Sequence, residues 1–547
     1  MSVLGTRFAG TRSVLVELSD LDSVLALGAL LEASPLPGQC DVLTAASTIL
    51  IKADSWANAR SIAAAIPALE LGTAAPDTGS LVSIDVHYDG EDLEEVVRLT
   101  GLSPEAVINA HTSQQWRAAF GGFAPGFAYL HRENQLLQVP RRDTPRKAVP
   151  AGAVALAGDY SAIYPRISPG GWQLIGHTDA VLWDLQRENP ALIRPQDRVQ
   201  FTASRASLTL STPAAPQAAP VSVAPGSPSL EILDPGLQSL IQDLGRPGLG
   251  NLGVSAAGAA DTSSARAANR LVGNSPSAAL IENLLGSMAL RAIGDAVLAV
   301  SGANAELLIT PVDTDDFHEE RVAPMNTPFA LLDGETLVLS PTGGGLRSYL
   351  AVRGGFDVAP VLGSCSTDSM SGIGPAPLAA GSLLGINPIH GAHVVGNPEP
   401  STLPRPAADG CHILRIAPGP REDWFGGAGL EQLTGQTWVV SAESNRVGVR
   451  LALTDGAEPL ERIRTGELAS EGVAVGALQV PPSGLPVLFL ADHPVTGGYP
   501  VIAGLIAEDV PAAAQLVPGT RIRFELVDPL THHPLAPLTA RTEGNPA

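Results

Sequence analysis

The sequence contains few cysteines, few aromatic residues and few charged residues. Its three cysteines, Cys40, Cys365 and Cys411, are far apart in 547 residues and none belongs to a Cys-x-x-Cys pair. This pattern predicts neither a disulfide framework nor a zinc site, and no other metal site is predicted. Charged residues make up 16% of the chain, aromatic residues make up 4%, and the net charge is −22. Because an acidic protein repels polyphosphates, the composition argues against a nucleic-acid partner.

Long apolar segments are also missing. Near the start of the chain, Glu17, Asp20 and Asp22 interrupt the apolar run that a signal peptide requires. The uncharged stretch at residues 472–491 contains three prolines, which disfavour a membrane helix. We therefore expect a cytoplasmic protein with no membrane partner.

Glycine and proline are abundant instead, with 57 and 47 residues, and apolar residues make up 45% of the chain. This profile favours short strands and turns, and the length requires several domains. An uncharged Pro/Ala stretch at 211–229 predicts a semi-rigid linker between two modules. A second Pro-rich stretch, at 397–409, predicts two lobes in the later module. The expected divisions are a small α/β domain at 1–87, a β domain at 88–210, the second module at 230–528 and a tail at 529–547.

Periodicity predicts a fold that is mainly β with α/β parts. The first domain is expected to be a small ferredoxin-like unit, with strands at 13–17, 41–52 and 81–86 and helices at 21–31 and 56–69. Ser103-Pro104-Glu105 predicts a helix start. The strands predicted further along are 296–300, 336–339, 349–352, 437–440 and 487–490, and the predicted hairpin turns are Asp333-Gly334 and Asp455-Gly456.

One pattern occurs in both modules. Gly170-Gly171-Trp172 is followed by PQDRVQF at 195–201, and Gly497-Gly498-Tyr499 is followed by PGTRIRF at 518–524. This echo favours one β-barrel domain type used twice, with chance recurrence of short glycine motifs as the alternative.

Familiar single-motif enzymes are disfavoured, because the sequence has no Walker A loop, HExxH or GxSxG, and no GxGxxG at a strand–helix junction. Candidate chemistry therefore lies in Gly/Pro segments with polar residues at turns. The first is GGFAPGFAYL, at 121–130, which is either a rigid aromatic corner or a pocket wall. Its candidate residues are Pro125, Gly126 and Phe127.

Two more segments follow in the first module. PRRDTPRKAVPAG, at 140–152, is either a solvated basic loop or an anion site that includes Arg146. YPRISPGGWQLIGHT, at 164–178, carries Gly170 and Gly171, whose backbone N–H groups can bind an oxyanion.

The second module opens with further polar residues beside glycine. Asp243 and Arg246 either form an ion pair that fixes a turn or face a ligand. Asp261 either caps the helix that ends before Gly273 or serves a site, and Asn269 lies further along that helix.

Three segments near the C-terminus also place polar side chains next to glycine: 444–450, 470–482 and 492–500. Together they are predicted to form the rim of one small polar pocket. The candidate residues in them are Arg446, Arg450, Gln479, Asp492, Thr496 and Tyr499.

These motifs resemble a known enzyme family. GFAPGFAYL, TPRKAVPAG and SPGGWQLIGHT are similar to the B subunit of prokaryotic ATP-dependent 5-oxoprolinase, and the similarity spans about residues 10–205. IQDLGRPG, GAADTSSARAANRLVGN, SNRVG, GALQVPPSG and DHPVTGGYP are similar to its C subunit, over about residues 230–528. The same two regions occur fused in the carboxyltransferase part of urea carboxylase, and are also known as allophanate hydrolase subunits.

The resemblance implies cyclophilin-like β barrels in both modules and ATP-driven opening of 5-oxoproline to L-glutamate. ATP with Mg²⁺ and a separate A subunit of the LamB/YcsF type would then be required, and a homo-oligomer is compatible. Among the candidates, Arg246 or Arg446 would hold a phosphate or carboxylate, and Asp243 or Asp261 would orient the amide. The family's usual arginine and Gly-Asp are replaced here by Cys365 and Gly381-Ser382, which puts the specificity in question.

Two other functions stay open. The first is a biotin-dependent carboxyltransferase, for which biotin would be the cofactor, although the sequence contains no biotin carboxylase or carrier segment. The second is a non-enzymatic fusion of a sensor-kinase inhibitor with its antagonist.

Overall fold

The computed structural model describes residues 2–71, 79–132, 135–204, 227–312, 320–389 and 394–535. The predicted linker up to residue 226 and the predicted tail from residue 536 lie outside the described residues. No helix in the described part is both long and apolar enough to cross a membrane.

The N-terminal domain is a four-stranded antiparallel sheet with the order β1-β2-β4-β3, covered by two helices. Its elements are β1 (Val3–Phe8), β2 (Ser13–Leu18), α1 (Leu21–Ala33), β3 (Gln39–Thr44), β4 (Thr48–Ala53) and α2 (Trp56–Ala65). This is the strand order of a ferredoxin-like sheet in which the strand that usually comes last in the chain comes first. The apolar run at 41–52, predicted as strand, contains the turn between β3 and β4.

Both faces of this sheet are buried, which explains the almost continuous apolar run in β2. Val14 and Val16 pack with Leu27 of α1, whereas Leu15 points the other way and packs with Ala474 and Val495 of the second module. Because successive side chains of β2 point to opposite faces of the sheet, this strand packs against α1 on one face and against the second module on the other.

The rest of the first module is a seven-stranded sheet with the order β12-β9-β10-β7-β6-β13-β5, plus a two-stranded ribbon of β8 and β11. His87 and His177 exchange backbone hydrogen bonds of 2.8 Å, and so join the two outer strands. The elements are β5 (Leu81–Val86), α3 (Leu93–Thr100), α4 (Pro104–Thr112), β6 (Gln115–Gly121), β7 (Ala128–His131), β8 (Arg146–Val149), β9 (Ala153–Ala157), β10 (Tyr160–Ile163), β11 (Ser168–Gly170), β12 (Gln173–His177) and β13 (Arg198–Ala203).

The first lobe of the second module packs a six-stranded sheet, β20-β19-β22-β17-β14-β24, against a five-stranded sheet, β15-β16-β23-β18-β21. The elements are β14 (Ser229–Asp234), β15 (Gln238–Gln242), α5 (Thr262–Leu271), β16 (Leu280–Leu284), β17 (Ala289–Ile293), β18 (Ala296–Asn304), β19 (Leu307–Thr310), β20 (Arg321–Ala323), β21 (Phe329–Leu331), β22 (Thr336–Leu339), β23 (Gly344–Val352) and β24 (Leu383–Gly385).

The second lobe is a closed barrel, β25-β32-β29-β30-β27-β26-β33, with a ribbon of β28 and β31. Its elements are β25 (His412–Pro418), α6 (Gly426–Gly435), β26 (Trp438–Val440), β27 (Gly448–Leu453), β28 (Glu471–Gly472), β29 (Ala477–Gln479), β30 (Val487–Phe489), β31 (Thr496–Gly497), β32 (Val501–Leu505), α7 (Val510–Ala513) and β33 (Arg521–Leu526). Short 3-10 helices within the described residues are Ile66–Ala68, Gln135–Leu137, Gly250–Leu252, Glu422–Trp424 and Ala507–Asp509.

The barrels of the two modules correspond strand by strand. In each, the last strand (β13 or β33) pairs parallel with the first and antiparallel with the strand after the helix. In each, a buried tryptophan on that second strand donates its indole N–H over 3.0 Å to a helix-end carbonyl five residues earlier, Trp116 to His111 and Trp438 to Leu433. This shared architecture supports the duplication that the sequence echo predicted.

The predicted fold class, mainly β with α/β parts and a barrel in both modules, is confirmed. The two predicted hairpins are wrong. Asp333-Gly334 is a turn between β21 and β22, which lie in different sheets, and the strand before Asp455-Gly456 pairs with β26 and β30 rather than with the next strand. A Gly residue with positive φ allows the turn, but the pairing of the strands is decided by sheet packing.

Candidate active site at the module junction

The two modules dock through the glycine motifs of both. A Cβ added to Gly253, whose φ is +77°, would lie 2.2 Å from the carbonyl oxygen of Ala124, and one on Gly121 would lie 2.2 Å from that of Asn251. The N–H of Gly126 also donates to the carbonyl of Leu252 over 3.3 Å. The segment 121–126 therefore requires glycine because two backbones touch there.

The predicted residues of this segment form an aromatic corner. Phe127 is buried and packs edge-on against Tyr129, Tyr164 and Trp172, with ring centroids 5.3–5.8 Å apart. Burial raises the pKa of the Tyr164 hydroxyl above its ordinary value. Phe127 presents its ring to this cluster, which matches the first of its two sequence interpretations.

The ribbons of the two barrels carry charged residues of opposite sign at equivalent positions, and each residue forms an ion pair. Gly170 pairs with Arg146 in one ribbon, and Gly497 pairs with Glu471 in the other. Arg146 binds Asp92 over 2.9 Å, whereas Glu471 binds Arg421. The guanidinium of Arg146 therefore forms ion pairs with carboxylates of its own module.

Burial and the neighbouring arginines act in opposite directions on the pKa of these two carboxyl groups. Burial acts to raise the pKa of Asp92, but Arg146, the N–H of Leu174 and Arg142 outweigh it, so the pKa lies below its ordinary value. Burial raises the pKa of Glu471, although Arg421 opposes the shift.

The two ribbons approach each other across the junction. Arg141 of the first module lies 3.9 Å from Glu467 of the second and 3.7 Å from the Cβ position of Gly498. Arg166, next to the first ribbon, donates from Nη1 to the carbonyl of Met370. The glycine-lined edges that carry Gly170, Gly171 and the Thr496–Tyr499 segment therefore converge on one region.

Arg446 is the centre of a buried charge network. Its Nε and Nη2 donate to Asp492 over 2.9 and 2.8 Å, its Nη1 donates to Glu282, and Nη2 also binds the carbonyl of Gly258 over 2.6 Å. Asp492 in turn accepts hydrogen bonds from the N–H and hydroxyl of Ser369. Because its donors are engaged inside the protein, Arg446 joins the barrel to the first lobe and has little capacity left for a ligand.

Four buried polar atoms close to this network lack a hydrogen-bond partner among the described residues: Nε of Arg166, Nη1 of Arg246, Oδ2 of Asp368 and Oγ of Ser371. They come from both modules, and no Arg–Asp pair among them is within 4.0 Å in the described structure. Buried orphaned polar atoms are costly, so several at one place are typical of a functional site. We call these four residues the Asp368 centre.

Electrostatics link the members of the Asp368 centre. Burial raises the pKa of Asp368 and the negative charge of Asp492 raises it further, while the nearby Ser371 and Met370 oppose the rise. Burial lowers the pKa of Arg246 and of Arg166, while the charge of Asp368 opposes both shifts. A carboxyl group with a raised pKa beside two arginines can bind an anion and exchange a proton.

Asp243 is saturated by its own turn. Its carboxylate accepts from the N–H of Gly245 and of Cys365, both over 2.7 Å, and from the hydroxyls of Ser364 and Ser366. Cys365 therefore contributes its backbone N–H here, while its thiol lies 3.3 Å from the carbonyl of Val358. Ser382, which replaces the family's usual aspartate, accepts a hydrogen bond from the N–H of Ala379 in a turn outside the junction.

Asp261 and Asn269 are engaged at the two ends of α5. Asp261 caps the helix through the N–H and hydroxyl of Ser264, over 2.9 and 2.6 Å, and also accepts from Gln515 over 2.8 Å. Burial raises the pKa of Asp261, against these hydrogen bonds. Asn269 donates to the carbonyl of Ala278 over 2.9 Å and holds the following loop.

The remaining candidates lie on the barrel of the second module. Gln479 donates over 3.1 Å to the carbonyl of Tyr499, which is 43% exposed and has Arg462 over its ring. The hydroxyl of Thr496 is buried with no hydrogen-bond partner among the described residues. Arg450 is exposed on β27. Their roles as ligand-binding residues, like those of Pro125, Gly126, Phe127, Gly170 and Gly171, stay predictions.

Of the arginines and aspartates singled out in the sequence, Arg246 alone belongs to the Asp368 centre. Sequence reasoning missed Arg166 and Asp368. Arg166 lies inside the motif YPRISPGGWQLIGHT, and Asp368 directly follows the segment in which Cys365 replaces the family's usual arginine. The signal that could have identified Arg166 is that it stands in a glycine motif that contains no acidic residue. Within the described residues, no group of three or more His, Cys, Asp or Glu side chains is arranged to hold a metal ion, so we assign no protein ligand to Mg²⁺.

Comparison with known families matches both modules. The family model for the carboxyltransferase domain, subdomains A and B, matches residues 252–526, and the model for subdomains C and D matches residues 4–193.

Individual relatives agree with this assignment. The C subunit of 5-oxoprolinase from Escherichia coli is 35% identical over 54% of this chain and 90% of its own length. The B subunit of 5-oxoprolinase from Bacillus subtilis is 44% identical over 22% of this chain and 52% of its own length. Fungal urea amidolyases and a putative urea carboxylase are more distant, at 28–29% identity over 16–24% of their length. The crystal structure of TTHA0988 has a TM-score of 0.81 at 36% identity and covers 94% of this chain and 99% of its own.

Proposed function

Because the chain belongs to the carboxyltransferase domain family, we propose that it is the fused B-and-C component of an ATP-dependent 5-oxoprolinase. The reaction converts 5-oxo-L-proline, ATP and two water molecules into L-glutamate, ADP and phosphate. A five-membered lactam is a stable amide, and phosphorylation of its oxygen makes the carbonyl carbon a better electrophile. A separate A-type subunit and Mg²⁺ supplied with ATP complete the system.

The observation that carries this proposal is the Asp368 centre, which is assembled from both modules. Relatives of the two modules are named as separate B and C subunits, and here Arg166 of the B-type module reaches the loop that contains Asp368 in the C-type module. A site formed at this contact explains why the two modules occur together.

The chemistry of the centre suits the substrate. The carboxylate of 5-oxoproline would bind the spare donors of Arg246 and Arg166, and the lactam N–H would donate to Oδ2 of Asp368. Arginine donors next to a reacting amide also stabilise charge that develops on the oxygen. Asp243, Asp261 and Arg446 would act by positioning these groups.

The test combines the purified chain with an A-type subunit, ATP, Mg²⁺ and 5-oxoproline, and measures glutamate and ADP together. Both products are expected in equal amounts. ADP release that never depends on the lactam would contradict the function.

The matched variants are Asp368→Asn and Asp455→Asn. Asparagine keeps the Oδ1 acceptor that binds the N–H groups of Met370 and Ser371 over 2.9 Å, so the loop should fold, while Oδ2 is replaced by a donor. We expect kcat/KM to fall on the order of 100-fold, as for loss of one polar contact to the transition state. Asp455 lies in an exposed turn, and its variant should keep full turnover. Unchanged activity of Asp368→Asn would remove this residue from the site.

The second candidate function is biotin-dependent carboxyl transfer, which the name of the matching family model favours. It requires a biotinylated carrier protein from elsewhere. Carboxyl exchange that appears only when carboxybiotinyl carrier is added, without lactam turnover, would replace the first proposal by this one.

A further inference from the structure

A cavity of about 480 Å³ lies between the two lobes of the second module, away from the Asp368 centre. Its walls are the start of β23, the Pro-rich segment 400–406, the start of β25 and the segment that precedes β33. Cavities of this size usually hold small molecules, and sites are common where two domains or lobes meet. The volume exceeds what 5-oxoproline, with its nine heavy atoms, requires.

The polar part of the lining is suited to an anion. Although the chain is acidic, no Asp or Glu is among the described residues that line the cavity, whereas Arg405 and His412 both line it. The Nδ1 atom of His412 is buried and has no hydrogen-bond partner among the described residues. Gly344 and Gly345 leave the backbone uncovered on the opposite wall, where a ligand can approach closely.

One part of the lining is apolar. It consists of Leu403 and the prolines of the segment 400–406, together with Leu516 and Val517, which precede β33. Such surfaces bind a flat ring, while Arg405 supplies a positive charge and His412, whose pKa burial lowers, supplies a hydrogen-bonding nitrogen.

The cavity is connected to the module junction by a continuous chain of hydrogen bonds. Gln515, in its wall, accepts from the N–H groups of Leu346 and Arg347 over 2.9 Å and donates to Asp261 over 2.8 Å. The N–H of Asp261 donates to the hydroxyl of Tyr349, which donates to Glu282, a partner of Arg446. This chain of hydrogen bonds joins the wall of the cavity to the network that holds the Asp492–Ser369 contact.

The geometry points to a nucleoside phosphate as the occupant of this cavity, with its base against the Pro/Leu wall and its phosphates near Arg405, His412 and the glycines. The choice of ATP as the probe rests on the proposed function, which requires ATP. The location of the site rests on the cavity alone.

The experiment measures ATP, AMP and inorganic phosphate binding to the full chain by calorimetry. A Cβ on Gly344 would enter open space beside Asn304, another lining residue, so Gly344→Val fills the cavity without a clash in an extended strand. Arg405→Ala should weaken ATP binding at least about ten-fold, the effect of one lost charge-assisted contact. Gly344→Val should weaken it at least as much, because its side chain occupies space that the ligand needs.

The matched controls are Gly435→Val, where an added Cβ meets nothing within 4 Å, and Arg60→Ala on the exposed face of α2. Both should bind ATP as the parent chain does. Absence of ATP binding, binding unchanged in Gly344→Val and Arg405→Ala, or phosphate binding as tight as ATP binding would overturn the assignment. Lactam turnover with an A-type subunit is measured in parallel, so that a misplaced nucleotide site is distinguished from a wrong function.

Discussion

Replacing Arg446 by methionine should destabilise the second module strongly. Methionine has a similar length and removes only the charge and the donors. Arg446 is 3% exposed and binds Asp492 through two hydrogen bonds, of 2.9 and 2.8 Å, as well as Glu282. After the substitution, both carboxylates stay buried. Glu282 keeps Arg347 at 3.5 Å, whereas Asp492 keeps only the hydrogen bonds from Ser369 among the contacts described.

The expected cost is about 3–5 kcal/mol, because breaking a buried ion pair from one side leaves an uncompensated charge. Adding Asp492→Asn should recover at least about 2 kcal/mol of this loss, since the unpaired charge is removed. The free energy of unfolding is measured from urea transitions followed by tryptophan fluorescence, which reports on the buried Trp438 in the barrel. A loss below about 1 kcal/mol, or no recovery in the double variant, would refute the reasoning.

The same variant has a predicted pH dependence. Burial acts to raise the pKa of Glu282, but Arg446 and Arg347 outweigh it and hold the pKa below its ordinary value. In the parent chain, this stabilisation is present above the unfolded pKa and is lost as the pH falls through the folded pKa. Without Arg446, burial dominates and the folded pKa rises, so the penalty is full at neutral pH and shrinks on acidification. A penalty that grows from pH 7 to pH 5 would contradict this sign.

Three further predictions concern the junction and the supporting contacts. Gly253→Val should speed hydrogen exchange in residues 121–126, because its Cβ would collide with the carbonyl of Ala124, whereas Gly101→Ala, at an open left-handed position, should not. Asp261→Ala should lower the free energy of unfolding by about 1–2 kcal/mol through loss of the helix cap, and an unchanged urea midpoint would contradict the capping role. Asp92→Asn should lower the thermal midpoint at pH 7 more than at pH 3, because the stabilisation from the depressed pKa of Asp92 is full above the unfolded pKa and is lost as the pH falls towards the folded pKa. An equal effect at both pH values would contradict the assignment.

The glycine motifs were interpreted as turns or pocket walls, and the structure gives several of these glycines another role. The segment that contains Gly121 and Gly126 was interpreted as a rigid corner or a pocket wall. In the structure these two glycines, together with Gly253, which was not singled out, allow two backbones from different modules to touch. A motif shows that a side chain is not tolerated, but it does not show whether a ligand or another backbone excludes it. This is why segments that identify the family need not be the segments that bind substrate.

The polar candidates show where prediction from sequence ends. Arg446 and Asp243 stand in strong motifs, yet their hydrogen bonds are consumed inside the protein, while Arg166 and Asp368 retain unpartnered atoms. Whether a polar side chain is saturated depends on partners far away in the sequence. Arg446 binds Glu282, which is 164 positions away, and Arg421 binds Glu17, which is 404 positions away.

The amino-acid sequence by itself determined the local elements, the family and the repeated barrel, because helix caps, apolar periodicity and glycine positions act between neighbours along the chain. Asp20 and Ser55 start helices for this reason, and the two glycine–aromatic patterns mark equivalent ribbons. Only the tertiary structure decided which charges are neutralised and which remain available. Burial makes each of those charges depend on partners that the fold brings together from distant segments, and so the Asp368 centre appears only when both modules are in contact.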